Sequence, residues 1–185
     1  MISKLINEHI DVSKALVSQE KLIQDISRQC LRSLISNKKI ILCGNGGSAA
    51  DSVHIAAELV GRFNEERKSF PAISLVSNPS NLTAISNDYG FEYVFSRQIE
   101  GLGNEGDVLI ALSTSGNSKN IIKAIDTANK MNISTIGMTG LDGGLMNDQN
   151  CNYLLKVNSN NTARIQEIHL LICHIVCEYI DNNIK

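Results

Sequence analysis

Five short runs rich in β-branched and aliphatic residues, at 39–43, 72–76, 108–112, 134–138 and 153–157, recur along the chain, most of them separated by stretches with helical character. Apolar runs of this length suit strands buried on both faces. Strands alternating with helices are parallel, because each helix returns the chain to the same end of the sheet. Right-handed crossovers follow from the strand twist. The expected fold is therefore α/β: a single domain over 1–185 with a five-stranded parallel sheet flanked by helices. At 185 residues and 43% hydrophobic, the chain can fill one sizeable core but not two. With 4% aromatic residues and no Trp, that core must be built from Ile, Leu, Val and Ala.

Amphipathic segments enclose the alternating pattern. Residues 1–36 carry Ile6, Ile10, Leu16, Ile23, Ile26 and Cys30 at mostly three- and four-residue spacing, which predicts a helical arm made of one helix or a helix pair. The last element, about 163–180, has an apolar stripe wider than one core face needs. Such surplus on both terminal helices points to burial against further copies of the chain, with simple coverage of the sheet as the alternative. Between 79 and 100, two short helices are expected around the Asn87-Asp88-Tyr89-Gly90 turn.

The formal charge of -2 leaves no basic footprint for nucleic acid or a membrane surface, so a phosphate would have to be held locally. Glu65, Glu66, Arg67 and Lys68 cancel one another and read as a solvated loop. The N-terminus lacks the continuous apolar core of a signal peptide, and no apolar run approaches the roughly 20 residues of a spanning helix. Five cysteines without a CxxC pair argue against a disulfide framework and against a four-thiolate zinc site. A cytoplasmic location is expected.

Two loops carry the functional signal. Gly44-Asn45-Gly46-Gly47-Ser48 lies between a strand and a helix, where glycines let the backbone approach an anion and free amides can bind it. It is neither a Walker loop nor a full dinucleotide fingerprint, and a tight turn is an equal reading. Ser113-Thr114-Ser115-Gly116-Asn117-Ser118 occupies the same position after the third strand. A helix cap uses one hydroxyl; this loop has four, enough to hold phosphate oxygens without a cation. Both loops fall at the carboxyl ends of strands, where parallel sheets bind ligands. His54 and Glu58, four apart, share a helix face and suit either a metal pair or an exposed ion pair. His169 and Cys173, set among Ile and Leu, read as core or interface residues.

The two loops closely resemble those of the sugar isomerase (SIS) domain family. Asp51, His54, Glu58, Gly61-Arg62, Asn87-Asp88, Phe95-Ser96-Arg97, Glu105-Gly106-Asp107, Arg164 to His169 and His174 extend the likeness over nearly the whole chain, to the phosphoheptose isomerases within it. The resemblance implies interconversion of sedoheptulose 7-phosphate and D-glycero-D-manno-heptose 7-phosphate through an enediol, serving nucleotide-activated heptose synthesis for lipopolysaccharide or capsule. It implies Glu58 and His174 as the acid/base pair. Substrate contacts would come from Asn45, Gly46, Gly47, Ser48, Glu58, Asn87, Asp88, Ser113, Thr114, Ser115, Ser118 and Gln166. Zinc, one per subunit, would be held by His54, Glu58, Gln166 and His174, in a homotetramer with shared sites. Gln166 and His174 stand about 12 Å apart along an ideal helix, so their meeting at one ion requires a bent helix or side chains from different subunits. Ala163 departs from the family's more usual acidic residue, and Ala49 and Ala50 replace its His and Cys. A binding protein on the same fold, such as the initiator-associating protein that binds DnaA, is the rival reading; isomerisation of another phosphosugar is a third. Retention of Glu58 and His174 favours an enzyme, because a binder needs no acid/base pair.

Overall fold

The computed structural model describes residues 1–147 and 150–184. Its five strands are β1 (Ile40–Gly44), β2 (Ala72–Ser74), β3 (Val108–Leu112), β4 (Ser134–Thr139) and β5 (Tyr153–Lys156). They form one sheet in the order β2-β1-β3-β4-β5, every pair parallel. The helices are α1 (Ile2–Ala15), α2 (Glu20–Ile35), α3 (Gly47–Val60), α4 (Pro79–Tyr89), α5 (Ser96–Leu102), α6 (Lys119–Lys130) and α7 (Thr162–Asn183).

The strand alternation explains the uninterrupted apolar runs. Ile40, Leu42, Val108, Ile110 and Leu112 point to one face of the sheet, where they pack with α2, α3 and α7 through Ile26, Ile55, Leu59, Ile168 and Ile172. Ile41, Cys43, Leu109 and Ala111 point to the other, against α5 and α6 through Ile99, Ile121 and Ile125. Each fully buried Leu or Ile contributes roughly 1.5–3 kcal/mol of transfer free energy, so the two faces together set the register of β1 against β3.

The expected two short helices between 79 and 100 are α4 and α5. Asn78 caps α4 by accepting from the backbone N–H groups of Ser80 and Asn81, and Pro79 follows at the first helical position. Gly90 ends it at φ 98°. The N-terminal arm is a helix pair joined by a short 3-10 turn, Leu16–Gln19, and it packs on α7. The terminal stripes are thus partly used within the chain, yet Ile2, Leu5, Ile6, Ile10, Val17, Leu171 and Ile175 remain exposed.

One expectation fails. The segment 65–68 is not a uniformly solvated loop, because Arg67 is 6% exposed at its side chain and paired with Asp181 on α7. Its neighbours in sequence do carry charges that cancel, but the guanidinium turns inward to a carboxylate that only the fold brings near.

Candidate active site

In the strand order β2-β1-β3, the chain leaves β1 towards one sheet edge and leaves β3 towards the other, so a crevice opens between their carboxyl ends. The loops 44–48 and 113–118 form its walls. Backbone geometry dictates the glycines of the first: Gly46 sits at φ 58°, and a Cβ on Gly44 would lie 2.5 Å from the Ser48 carbonyl oxygen. In the second loop Gly116 has φ 65°, and a Cβ there would meet Gly143 O at 1.9 Å. Ser113 Oγ donates to Ser118 Oγ at 3.2 Å, closing the Ser/Thr loop on itself. The two loops are locked together by a reciprocal amide pair, Asn45 to Asn120 at 3.0 Å and Asn120 to Asn45 at 2.9 Å. Asn45, Ser118 and Asn120 border an open cavity of about 440 Å³ that Phe91 and Glu92 also line.

The helices α3 and α7 run side by side in the same direction. The Gln166 amide lies against Gly47, His174 meets His54, and Asp181 meets the backbone of Asn64 just beyond α3, so matched positions step along α7 and along α3 and the segment that follows it. In the middle of this ladder, His54 Nε2 is 3.0 Å from His174 Nε2 and 3.4 Å from Glu58 Oε1. The donor atoms of the three residues lie within 4.8 Å of one another. Ligand atoms about 3.3 Å apart are what a tetrahedral ion with bonds of roughly 2.0–2.1 Å requires, and two imidazoles with one carboxylate suit zinc and leave a position open. The residues present therefore fit the metal. Phe63 stacks on the His174 ring, centroids 5.5 Å apart at 24°.

Burial, and after it the neighbouring His54, hold His174 below the usual imidazole range, against the opposing pull of Glu58 and Asp51. It is neutral near pH 7 and able to take up a proton. Asp51, one turn before His54, is shifted the other way: burial raises its carboxyl, and its Oδ2 has no hydrogen-bond partner among the described residues.

The structure brings His54, Glu58 and His174 together and places Asn45, Ser113 and Ser118 at the crevice. Gln166 stands at the crevice end, beside Gly47, about 10 Å along α3 from His54 by helix rise. Asn87 and Asp88 occupy the last turn of α4, exposed, with Asn87 donating to Asp88 at 2.9 Å and neither bonded to the other candidates. Ala163 is exposed in the first turn of α7, where its N–H donates to the Asn161 cap. His169 is fully buried, as a core residue should be. Asn120 and Phe63 leave no signal in the sequence: an Asn one residue inside a helix and a Phe after a helix end carry no pattern of their own.

Residues 6–140 match the SIS domain family. The phosphoheptose isomerase of a Nitratiruptor species is similar to this chain at 50% identity, over 95% of this chain and 98% of its own. The structure of phosphoheptose isomerase GmhA from Neisseria gonorrhoeae superposes with a TM-score of 0.91 at 39% identity, covering 98% of this chain and 97% of that one. A phosphoheptose isomerase from Francisella tularensis superposes with a TM-score of 0.93 at 33% identity and the same coverage.

Proposed function

The chain belongs to the SIS domain family, and from its likeness over nearly its whole length to phosphoheptose isomerases we propose that it is one, interconverting sedoheptulose 7-phosphate and D-glycero-D-manno-heptose 7-phosphate. One observation carries the chemistry: a carboxylate and a largely neutral imidazole, Glu58 and His174, converge on helices that start at or flank a crevice able to hold an anion without a cation.

The hydroxyls and amides of Ser113, Thr114, Ser115 and Ser118 grip the phosphate, aided by the amino end of α6. Asn45, Gly46, Gly47 and Ser48 let the sugar lie close to the backbone, and Gln166, packed on Gly47, offers an amide to its hydroxyls. Isomerisation moves hydrogen between C1 and C2. Glu58 takes a proton from C1 of the ketose as the ring N–H of His174 donates one to the oxygen at C2, which yields the enediol. The O1 proton then passes to His174 as Glu58 returns its proton to C2, which leaves the aldehyde and restores both residues. Zinc held by His54, Glu58 and His174 would supply positive charge beside the carbonyl oxygen. Asn87 and Asp88 are assigned to sugar hydroxyls. Participation of Gln166 in a metal site would require movement or another subunit.

The exposed apolar residues of α1 and α7 support burial against further copies of the chain, and the family resemblance makes that assembly a homotetramer with shared sites in this proposal. No described helix is long and apolar enough to cross a membrane. The proposal places the enzyme in the cytoplasm, acting on a soluble sugar phosphate in the heptose branch of lipopolysaccharide or capsule synthesis. The deciding experiment is turnover of sedoheptulose 7-phosphate by purified protein. Glu58→Gln and His174→Ala are each expected to lower kcat by about 10²-fold or more. Absence of wild-type turnover would refute the function, whereas fully active variants would refute only the roles.

A further inference from the structure

The segment 61–71 between α3 and β2 folds back over the end of α3 and the last turns of α7, and one buried ion pair fastens it. Arg67 Nε donates to Asp181 Oδ1 at 2.6 Å, and the two side chains are 6% and 1% exposed. Asp181 Oδ2 accepts the backbone N–H groups of Asn64 at 2.9 Å and Glu65 at 3.1 Å. The remaining guanidinium nitrogens donate to Leu59 O at 3.0 Å and to Glu58 O at 2.9 Å, carbonyls in the last turn of α3 that the helix itself leaves open. The guanidinium also lies 4.3 Å over the Phe70 ring.

A buried ion pair is a weak explanation of stability, since an apolar replacement often serves as well. Location explains this one better. Arg67 holds the main chain of Glu58 itself, and Asp181 lies seven residues, about two turns, beyond His174. The strap they secure carries Phe63, whose ring stacks on His174. One fastening thus touches Glu58 through its backbone and His174 through its ring.

We propose that the Arg67–Asp181 pair and Phe63 form a positioning clamp that holds Glu58 and His174 in register for proton transfer and metal binding. None of the three touches substrate; they act through Glu58 and His174. The kinetic part of this inference rests on the isomerase reading, and the metal-binding part does not.

The test uses full-length Phe63→Leu, Arg67→Lys and Asp181→Asn. It reads kcat and KM for sedoheptulose 7-phosphate, thermal unfolding, and zinc affinity by calorimetric titration of the metal-free protein. The clamp predicts that kcat falls and the zinc Kd rises by about tenfold or more in each folded variant, while KM stays within about twofold. A merely structural role would lower the unfolding temperature and leave kcat and zinc affinity of the folded protein unchanged. Phe63→Leu, which keeps the ion pair, decides the matter if Asp181→Asn does not fold: kcat and zinc affinity within about twofold of wild type would overturn the clamp. Should the wild type bind zinc without turning over the sugar, the isomerase reading fails and the zinc affinities alone judge the clamp.

Discussion

His169 makes the protein's stability depend on pH in a window that a single substitution can erase. The residue sits in the middle of α7, fully buried against the end of β4. One ring nitrogen is 3.4 Å from Thr139 O, a long contact, and Nδ1 has no partner among the described residues. Burial lowers its pKa from 6.5 to about 4, and the Thr139 carbonyl opposes this only in part. Below pH 6.5 the unfolded chain takes up a proton that the folded protein refuses, so the unfolded state binds more protons and stability rises with pH between about 4 and 6.5. Stated from the other side, stability is lost as the pH falls through that window and changes no further below it. The gap in pKa corresponds to about 3 kcal/mol in full, of which about 2 kcal/mol is lost between pH 7 and pH 4.5. Urea unfolding at those two pH values, at one protein concentration, should show the wild type losing about 2 kcal/mol more than His169→Gln, which cannot titrate. Carboxylates elsewhere titrate equally in both proteins and cancel in the difference. Equal losses in the two proteins would refute the reasoning.

Three further outcomes are expected. Gly47→Ala puts a Cβ 2.6 Å from the Gln166 amide, the mobile end of a long side chain, so thermal stability should hold or rise by up to ~1 kcal/mol while KM for the sugar phosphate increases. Gly116→Ala instead drives a Cβ into the Gly143 backbone at positive φ, and denaturant unfolding should show a loss of about 2 kcal/mol or more together with weaker binding of inorganic phosphate. Zinc at about 100 times its Kd should stabilise the metal-free protein by about 2.7 kcal/mol in a thermal-shift assay, and His54→Ala should abolish that gain.

The composition of the sequence determined the sheet. Strands buried on both faces must be apolar throughout, so β1 and β3 announce themselves, and Gly44 marks a place where no side chain fits beside Ser48. The four-residue spacing of His54 and Glu58 likewise guarantees a shared helix face, whatever packs on it. Other features lie beyond any local pattern. Arg67 looked neutralised by its neighbours, yet its partner is 114 residues away; Asn45 finds Asn120 across 75 residues. The sequence likewise contains both Gln166 and His174 on one helix, but only the parallel packing of α7 on α3 sends the first to the strand-end crevice and the second to His54. Periodicity records which side of an element is buried. Which residues of two distant elements meet depends on where each crossover lands and how the helices register, and those are set by packing of the whole core.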